Sequence, residues 1–231
     1  MTDATHGLEL VPEAPGSALA STNLRLGPGD SHRLGDVDGD QLFFVADGLG
    51  RLAMDGETHE IGPGAAVLLL ANEEASLATD DGLAAVCVSV GPDAERHAPL
   101  GARQSIARLD QAGSENATGA RSFQILFGPH NGSTRATLFA GFIPPGKAPW
   151  HYHLYDEIVW VPAGPGRLHI GETTQELGPG SAFRLRPRQV HIVENLSATE
   201  TMTIIGVFTP AGSPSAAYLT PEIAAEYRFA E

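Results

Sequence analysis

Cysteine is nearly absent from the chain, which has only Cys87 in 231 residues. A single thiol cannot form an internal disulfide, so the sequence gives no sign of a fold that needs an oxidising compartment. Cys87 lies in the apolar run Ala85–Val88. This setting indicates a buried strand position rather than a reactive nucleophile.

Basic residues and long apolar runs are also scarce. The chain has 14 Lys and Arg against 28 Asp and Glu, for a formal net charge of −14. Without a basic cluster it cannot follow a phosphate backbone, so we expect no nucleic-acid partner. Its apolar stretches are shorter than the roughly 20 residues that span a bilayer, and its first residues do not resemble a signal peptide. We therefore expect a cytoplasmic protein without a membrane partner.

Helix signals are few, whereas turn residues are abundant. The 27 Gly and 17 Pro residues separate short aliphatic and aromatic segments, a pattern typical of all-β proteins. One helix is predicted near the C-terminus, where Thr220 can cap it and Pro221 can occupy its first position. The length of 231 residues allows two compact units, each with its own core.

An internal repeat divides the chain. Residues Gln41–Leu52 match Glu157–Leu168, and the Gly-Pro-Gly turn at 62–64 matches the turn at 178–180. Both matches have the same offset of 116, since 166 minus 50 and 178 minus 62 are equal. A constant offset without gaps predicts a duplicated β-barrel.

The repeat predicts four segments. Residues 1–17 are expected to form a flexible lead, and residues 18–100 a degenerate barrel without metal ligands. A connector follows at 101–122, and residues 123–231 form a metal-binding barrel that ends in the C-terminal helix.

Four side chains in the second repeat are good ligands for a divalent transition metal. His151, His153 and Glu157 lie in WHYHLYDEIVW, and His191 follows in RPRQVHIVEN. Side chains alternate along a strand, so even-numbered steps place the first three, with Tyr155, on one face. Two hairpins return the chain so that His191 can join them. The alternative is a hydrogen-bonded polar cluster without a metal.

Two spaced motifs between residues 137 and 210 resemble those of the cupin superfamily. The first motif has a glycine, a His-x-His pair, a glutamate and a second glycine. The second motif has a glycine, a turn with proline, a histidine and an asparagine. The matching positions are Gly146, His151, His153, Glu157 and Gly164, followed by Gly180, Pro187, His191 and Asn195.

The resemblance implies two tandem cupin barrels of the jelly-roll type, with a metal motif only in the second. His151, His153, Glu157 and His191 would bind one divalent ion (Fe, Mn, Ni, Co or Zn), with iron or manganese favoured. Four protein ligands around an octahedral ion leave two positions for a substrate and for water or dioxygen.

The predicted function is therefore that of a metal-dependent bicupin enzyme. We expect it to act as a dioxygenase on a small oxygen-rich molecule such as a diol, enediol, diketone or hydroxy acid. The alternatives are a redox-neutral isomerase, lyase or cyclase, and a non-catalytic protein in which the metal helps to bind a small molecule.

The first repeat lacks the metal set, because its corresponding residues are poor ligands. At the offset of 116, Glu157 corresponds to Gln41 and His191 to Ala75. We expect a structural barrel there, with a metal-free ligand pocket as the alternative. The counterparts of His151 and His153 are Gly35 and Val37 or, after a shift of one residue, Leu34 and Asp36.

Three further residues are candidates for contact with a substrate. Tyr155 shares the face of the ligands, so its hydroxyl is a candidate catalytic donor or a support for Glu157. Arg186 is a candidate for binding an acidic substrate, and His169 for lining the pocket. The alternatives are a packed tyrosine, a solvated arginine and a cross-strand histidine. Exposed sheet edges also favour a homodimer.

Overall fold

A computed structural model describes residues 8–12, 14–35, 38–117 and 120–219. In these ranges the chain forms 22 β-strands and two short 3-10 helices, Leu109–Gln111 and Pro129–Asn131. The all-β prediction is confirmed, and the strands form two tandem barrels. None of the helices in the described ranges has the length and hydropathy needed to cross a bilayer.

The first barrel consists of two antiparallel sheets. Its strands are β1 Leu8–Val11, β2 Leu19–Leu26, β3 Ser31–Leu34, β4 Asp40–Gly48, β5 Gly50–Met54, β6 Glu57–Ile61, β7 Ala65–Leu69, β8 Ala75–Ala78, β9 Leu83–Val90 and β10 Ile106–Arg108. One sheet has the order β1-β2-β9-β4-β7-β10, and the other has the order β3-β8-β5-β6.

The second barrel repeats this arrangement. Its strands are β11 Ser114–Asn116, β12 Ser122–Phe127, β13 Thr137–Ile143, β14 Gly146–Lys147, β15 His151–His153, β16 Asp156–Ala163, β17 Gly166–Ile170, β18 Thr173–Leu177, β19 Ala182–Leu185, β20 His191–Asn195, β21 Met202–Thr209 and β22 Ala217–Leu219. One sheet has the order β11-β12-β13-β21-β16-β19. The other has the order β18-β17-β20-β15-β22, with β14 paired to β20.

Strand register shows how the two repeats correspond. In the second barrel His151 lies opposite His191, and in the first Leu34 lies opposite Ala75. The structural counterpart of His151 is therefore Leu34, as in the alignment that is shifted by one residue. Leu34 and Ala75 are buried, so an apolar contact takes the place of two imidazoles. Asp36, the counterpart of His153, lies outside the described residues.

The sheet that contains β4 and β9 packs face to face against the sheet that contains β16 and β21, and the two share one hydrophobic core. Leu42 and Phe44 of the first barrel belong to the same buried cluster as Ile158 and Val207 of the second. Complete burial of each such side chain stabilises the folded state by about 1.5–3 kcal/mol. This shared core gives the barrels a fixed contact surface.

Buried polar contacts also join the barrels. Arg135 forms an ion pair with Asp40 at 3.2 Å, and their side chains are only 6% and 5% exposed. Arg184 donates to Asp156 at 2.9 Å and to the carbonyl of Leu19 at 3.0 Å. Strand β16, which carries both Asp156 and Glu157, also contacts β2 of the first barrel. The first barrel therefore supports the strand that holds this carboxylate.

Parts of the predicted lead and connector belong to the sheets. Within the lead, β1 pairs with β2. Within the connector, β10 pairs with β7 of the first barrel and β11 with β12 of the second. The C-terminal helix predicted from Thr220 lies outside the described residues. The four segment boundaries stay predictions.

Candidate metal centre

Three histidines come together inside the second barrel. His151 and His153 lie on β15, and His191 lies on β20 directly opposite His151. One ring nitrogen from each lies within 4.8 Å of the other two. All three side chains are buried. This group can bind a metal ion.

Glu157 reaches the histidines from the other sheet. The sequence analysis places His151, His153, Tyr155 and Glu157 on one strand, and this prediction is wrong. β15 ends at His153, and β16 begins at Asp156 in the facing sheet. The bend at 154–155 is a barrel corner, and it leaves Oε2 of Glu157 at 3.2 Å from Nε2 of His153. The four predicted ligands therefore come from three strands in two sheets.

Backbone carbonyls orient two of the imidazole rings. Nδ1 of His151 lies 2.9 Å from the carbonyl oxygen of Pro149, and Nδ1 of His191 lies 2.9 Å from that of Gln189. A carbonyl oxygen can only accept, so Nδ1–H donates in both cases. The lone pair of Nε2 is then available to a metal.

Ring stacking orients His153. Its ring stacks on Tyr155 with a centroid distance of 4.2 Å and an interplanar angle of 10°. Its Nδ1 is buried without a hydrogen-bond partner among the described residues. An unsatisfied buried polar atom is unfavourable.

Burial keeps the histidines neutral. It lowers the pKa of His151 to about 3 and that of His153 to about 2, with added repulsion from the neighbouring histidines. It lowers the pKa of His191 to about 4. Neutral imidazole is the form that binds metals. Burial, with the nearby charge of Asp156, raises the pKa of Glu157 to about 8. These residues fit a divalent cation, which would favour the ionised carboxylate.

Acidification is expected to destabilise the metal-free protein. Below pH about 6.5 the unfolded chain protonates these histidines, whereas the folded protein keeps them neutral to about pH 4. The unfolded state then binds more protons, so the free energy of unfolding decreases as the pH is lowered, by up to about 1.4 kcal/mol per pH unit for each histidine. Urea unfolding of metal-free protein at several pH values measures this slope.

Glu157 changes stability in the opposite direction. Its folded pKa is raised from 4.5 to about 8, so its contribution to stability is lost as pH rises through that range. Metal-free protein should therefore be most stable near neutral pH. A His191→Leu variant should show a shallower acid slope, because one titrating group is removed. Equal slopes in the variant and wild type would contradict the assignment of a neutral buried histidine.

The four predicted ligands line a cavity of about 80 Å³. Tyr155 lines it, confined between the rings of His153 and Phe208, and burial raises the pKa of its hydroxyl. That hydroxyl lies 3.5 Å from the carbonyl oxygen of Pro214, a long hydrogen bond. Most of the remaining wall is apolar, including Phe123, Phe139, Phe142, Ile143, Val193 and Ile204.

Sequence analysis missed one charged residue of this cavity, Arg121. It directly precedes β12, lines the cavity, and its charge lowers the pKa of all three histidines. Arg121 belongs to the predicted connector, where no local pattern distinguishes it from a solvated arginine. Only the pairing of β12 with β13 brings it to the site.

The other two candidates lie elsewhere. Arg186 is exposed and borders a separate surface groove with Leu154 and Asp156. His169 contacts Glu194, with 2.7 Å between Nε2 and Oε2, and its ring meets Trp150 edge-on. Neither residue is among those that line the metal cavity. The geometry therefore gives no support to their predicted substrate-binding roles and favours the solvated arginine and the cross-strand histidine.

Residues 140–208, which include all four candidate ligands, match the family model of the cupin domain. The second barrel therefore resembles a cupin domain over these residues. Residues 25–130 match the model of the AraC-like ligand-binding domain, which covers most of the first barrel. Both matches support membership of the cupin superfamily. No curated protein sequence matches the chain.

Solved structures share the cupin fold of both barrels. A point mutant of oxalate decarboxylase from Bacillus subtilis superposes with a TM-score of 0.71 at 15% identity, covering 92% of this chain and 74% of that chain. AerE from Microcystis aeruginosa gives 0.68 at 12% identity, with 84% and 88% covered. A putative glyoxylate-induced protein from Pseudomonas aeruginosa gives 0.68 at 12%, with 82% and 74% covered. Such low identities establish the fold alone.

Proposed function

We propose that this protein is a metal-dependent enzyme that transforms a small oxygen-rich molecule inside the second barrel. The observation that carries the proposal is the convergence of three buried, neutral imidazoles within 4.8 Å on one cavity wall. Neutral, oriented nitrogen donors beside a carboxylate are the donor set of a transition-metal site. A purely structural site would not need to open into a cavity.

One divalent ion would be held by His151, His153 and His191 together with Glu157. We favour Mn(II), because oxalate decarboxylase of B. subtilis has Mn(II) centres, and place iron second. The bound ion would polarise adjacent oxygen atoms of a substrate and, if redox-active, would supply dioxygen chemistry. The first barrel has no counterpart for this set among its described residues, where Leu34 and Ala75 are apolar.

The cavity restricts the size of the substrate. A water molecule needs about 10–15 Å³ of such space, so 80 Å³ accommodates a ligand of only a few non-hydrogen atoms. The apolar wall excludes water, and the neutral hydroxyl of Tyr155 can donate a hydrogen bond to a substrate oxygen. A diol, enediol, diketone or hydroxy acid of this size meets both conditions.

Two reaction classes follow from these features. Dioxygenase chemistry is our first proposal, because a three-histidine, one-glutamate set leaves positions open for both substrate and dioxygen. A redox-neutral lyase or isomerase is the second. It is favoured by Arg121, whose charge stabilises an anionic substrate or enolate, and by the similarity of the fold to an oxalate decarboxylase.

Dioxygen consumption tests the proposal and separates the two classes. Metal-free protein loaded with Mn(II) or Fe(II) would be given a panel of small diols, diketones and hydroxy acids in an oxygen electrode. The dioxygenase predicts substrate-dependent oxygen uptake that Glu157→Gln reduces. Turnover under argon would identify the redox-neutral class. Absence of turnover with every metal, together with tight retention of a small molecule from cell extract, would support a binding protein instead.

A further inference from the structure

We propose that the closed end of the metal cavity holds an apolar group of the substrate. The substrate would then carry a short alkyl group beside its oxygen atoms, as in an alkyl-substituted diketone, enediol or hydroxy acid. Molecules that are polar at both ends, such as dicarboxylates and polyols, would be excluded. The inference rests on the proposed function and narrows its substrate class.

An apolar layer lies next to the candidate ligands inside the second barrel. On β16 Val159 follows Glu157 by two residues, and on β20 Val193 follows His191 by two residues. Side chains two residues apart share one face of a strand and are about 6.6 Å apart along it. Val159 and Val193 line the same cavity as the ligands and belong to one buried cluster. The cavity therefore extends from the ligands to this apolar layer.

Three more residues complete the layer. Ile143, Leu185 and Ile204 are buried, line the cavity and belong to the same cluster, which is the hydrophobic core of the second barrel. Gly141 gives Ile204 its place, because a Cβ atom at Gly141 would lie 2.9 Å from Cγ1 of Ile204. We call the five apolar side chains the apolar floor: Ile143, Val159, Leu185, Val193 and Ile204.

Polar residues that are not candidate ligands line the cavity nearer to solvent. Arg121 and Ser122 are half-buried, and Ser215 is exposed. The side chains of the apolar floor are buried hydrocarbons. The cavity is therefore polar toward solvent and apolar toward the core of the barrel.

This difference determines which part of a substrate can reach the apolar floor. A carboxylate or hydroxyl group placed there would lose its water without gaining a side-chain hydrogen bond, which is unfavourable. Each methylene group buried there would instead strengthen binding about fourfold. The cavity of about 80 Å³ must also hold the oxygen atoms of the substrate, so the apolar group is limited to about two to four carbon atoms.

Binding of hydroxamic acids to Mn(II)-loaded protein tests the inference without a need for turnover. Acetohydroxamic, butanohydroxamic and hexanohydroxamic acid have the same chelating group and differ in chain length. Succinic monohydroxamic acid has a carboxylate in place of the terminal methyl group of butanohydroxamic acid. Calorimetry gives the dissociation constants, and elemental analysis gives the metal content of each sample.

Wild-type protein should bind butanohydroxamic acid about 10- to 20-fold more tightly than acetohydroxamic acid, because two more methylene groups are buried. Succinic monohydroxamic acid should lose this gain, because its carboxylate cannot be hydrated at the apolar floor.

Two variants of Ile204 enlarge the apolar floor. Ile204→Ala should raise the affinity for hexanohydroxamic acid relative to butanohydroxamic acid by about 5- to 20-fold, because the longer chain gains space. Ile204→Val removes one methyl group and should raise this ratio by about two- to fourfold, and it keeps the test available if Ile204→Ala folds poorly. Ile205→Val is the matched control. Ile205 is the next residue of β21, but it belongs to the core shared by the two barrels, so the ratio should not change.

The outcomes separate this inference from the proposed function. It is overturned if metal-loaded wild type binds no hydroxamic acid, shows no dependence on chain length, or binds the terminal carboxylate as tightly as the methyl group. It is also overturned if both Ile204 variants keep the wild-type ratio or lose their metal. In all these cases the metal enzyme still stands. Wild-type protein that binds no metal at all would contradict the proposed function, and this inference with it.

Discussion

Replacement of His153 by alanine is expected to abolish most metal binding. The variant removes one of three imidazoles that meet within 4.8 Å and also removes the contact of His153 with Glu157 at 3.2 Å. Loss of a residue that only supports a ligand typically weakens metal binding by about 10- to 100-fold, so loss of a ligand should weaken it by at least about 100-fold. Elemental analysis of protein purified with one equivalent of Mn(II) measures the effect.

His32→Ala is the matched control for this experiment. His32 lies on β3 of the first barrel, opposite Leu77, where the structure places no histidine group among its described residues. Its metal content should equal that of wild type. Equal loading of the His153 and His32 variants would remove the assignment of the metal centre.

Replacement of Gly206 by alanine is expected to displace Glu157 without changing any ligand. A Cβ atom at Gly206 would lie 2.3 Å from Cε1 of Phe139 and 2.9 Å from Oε1 of Glu157. Phe139 is buried and packs edge-on against Phe208, so its ring has little room to yield. We expect metal affinity to fall about 10- to 100-fold and stability to fall by about 1–3 kcal/mol.

Metal titration and urea unfolding of Gly206→Ala measure these two effects. Gly178→Ala in the same barrel is a suitable control, because a Cβ there meets no atom within 4 Å and its φ angle is not in the left-handed region. The control should keep both properties of wild type. Identical metal affinity in the two variants would show that Gly206 does not position Glu157.

The sequence predicts the clustering of the three histidines because its signal is local and repeated. His151 and His153 share one face through simple alternation, and the 116-residue repeat places the returning strand that carries His191. Alternation fails at Tyr155, because the chain changes sheets at the barrel corner between β15 and β16. Such a bend depends on how the two sheets meet to form the barrel. The alternation of residues along a strand does not predict it.

The wider cavity is harder to predict. The alternation of side chains along a strand can place Arg186 and His169 on one of its two faces. It cannot tell whether that face points into the barrel. Arg121 reaches the cavity through long-range strand pairing, from a segment with no distinctive local pattern. The homodimer and the cytoplasmic location stay predictions, because both depend on what surrounds the protein and not on the fold of a single chain.

The contact of Arg184 with both Asp156 and the carbonyl of Leu19 has a consequence for the division of labour between the two halves. Asp156 directly precedes Glu157, so the first barrel braces the strand that carries this carboxylate. A substitution near Leu19, on the other side of this contact, can therefore shift the position of Glu157 without touching it.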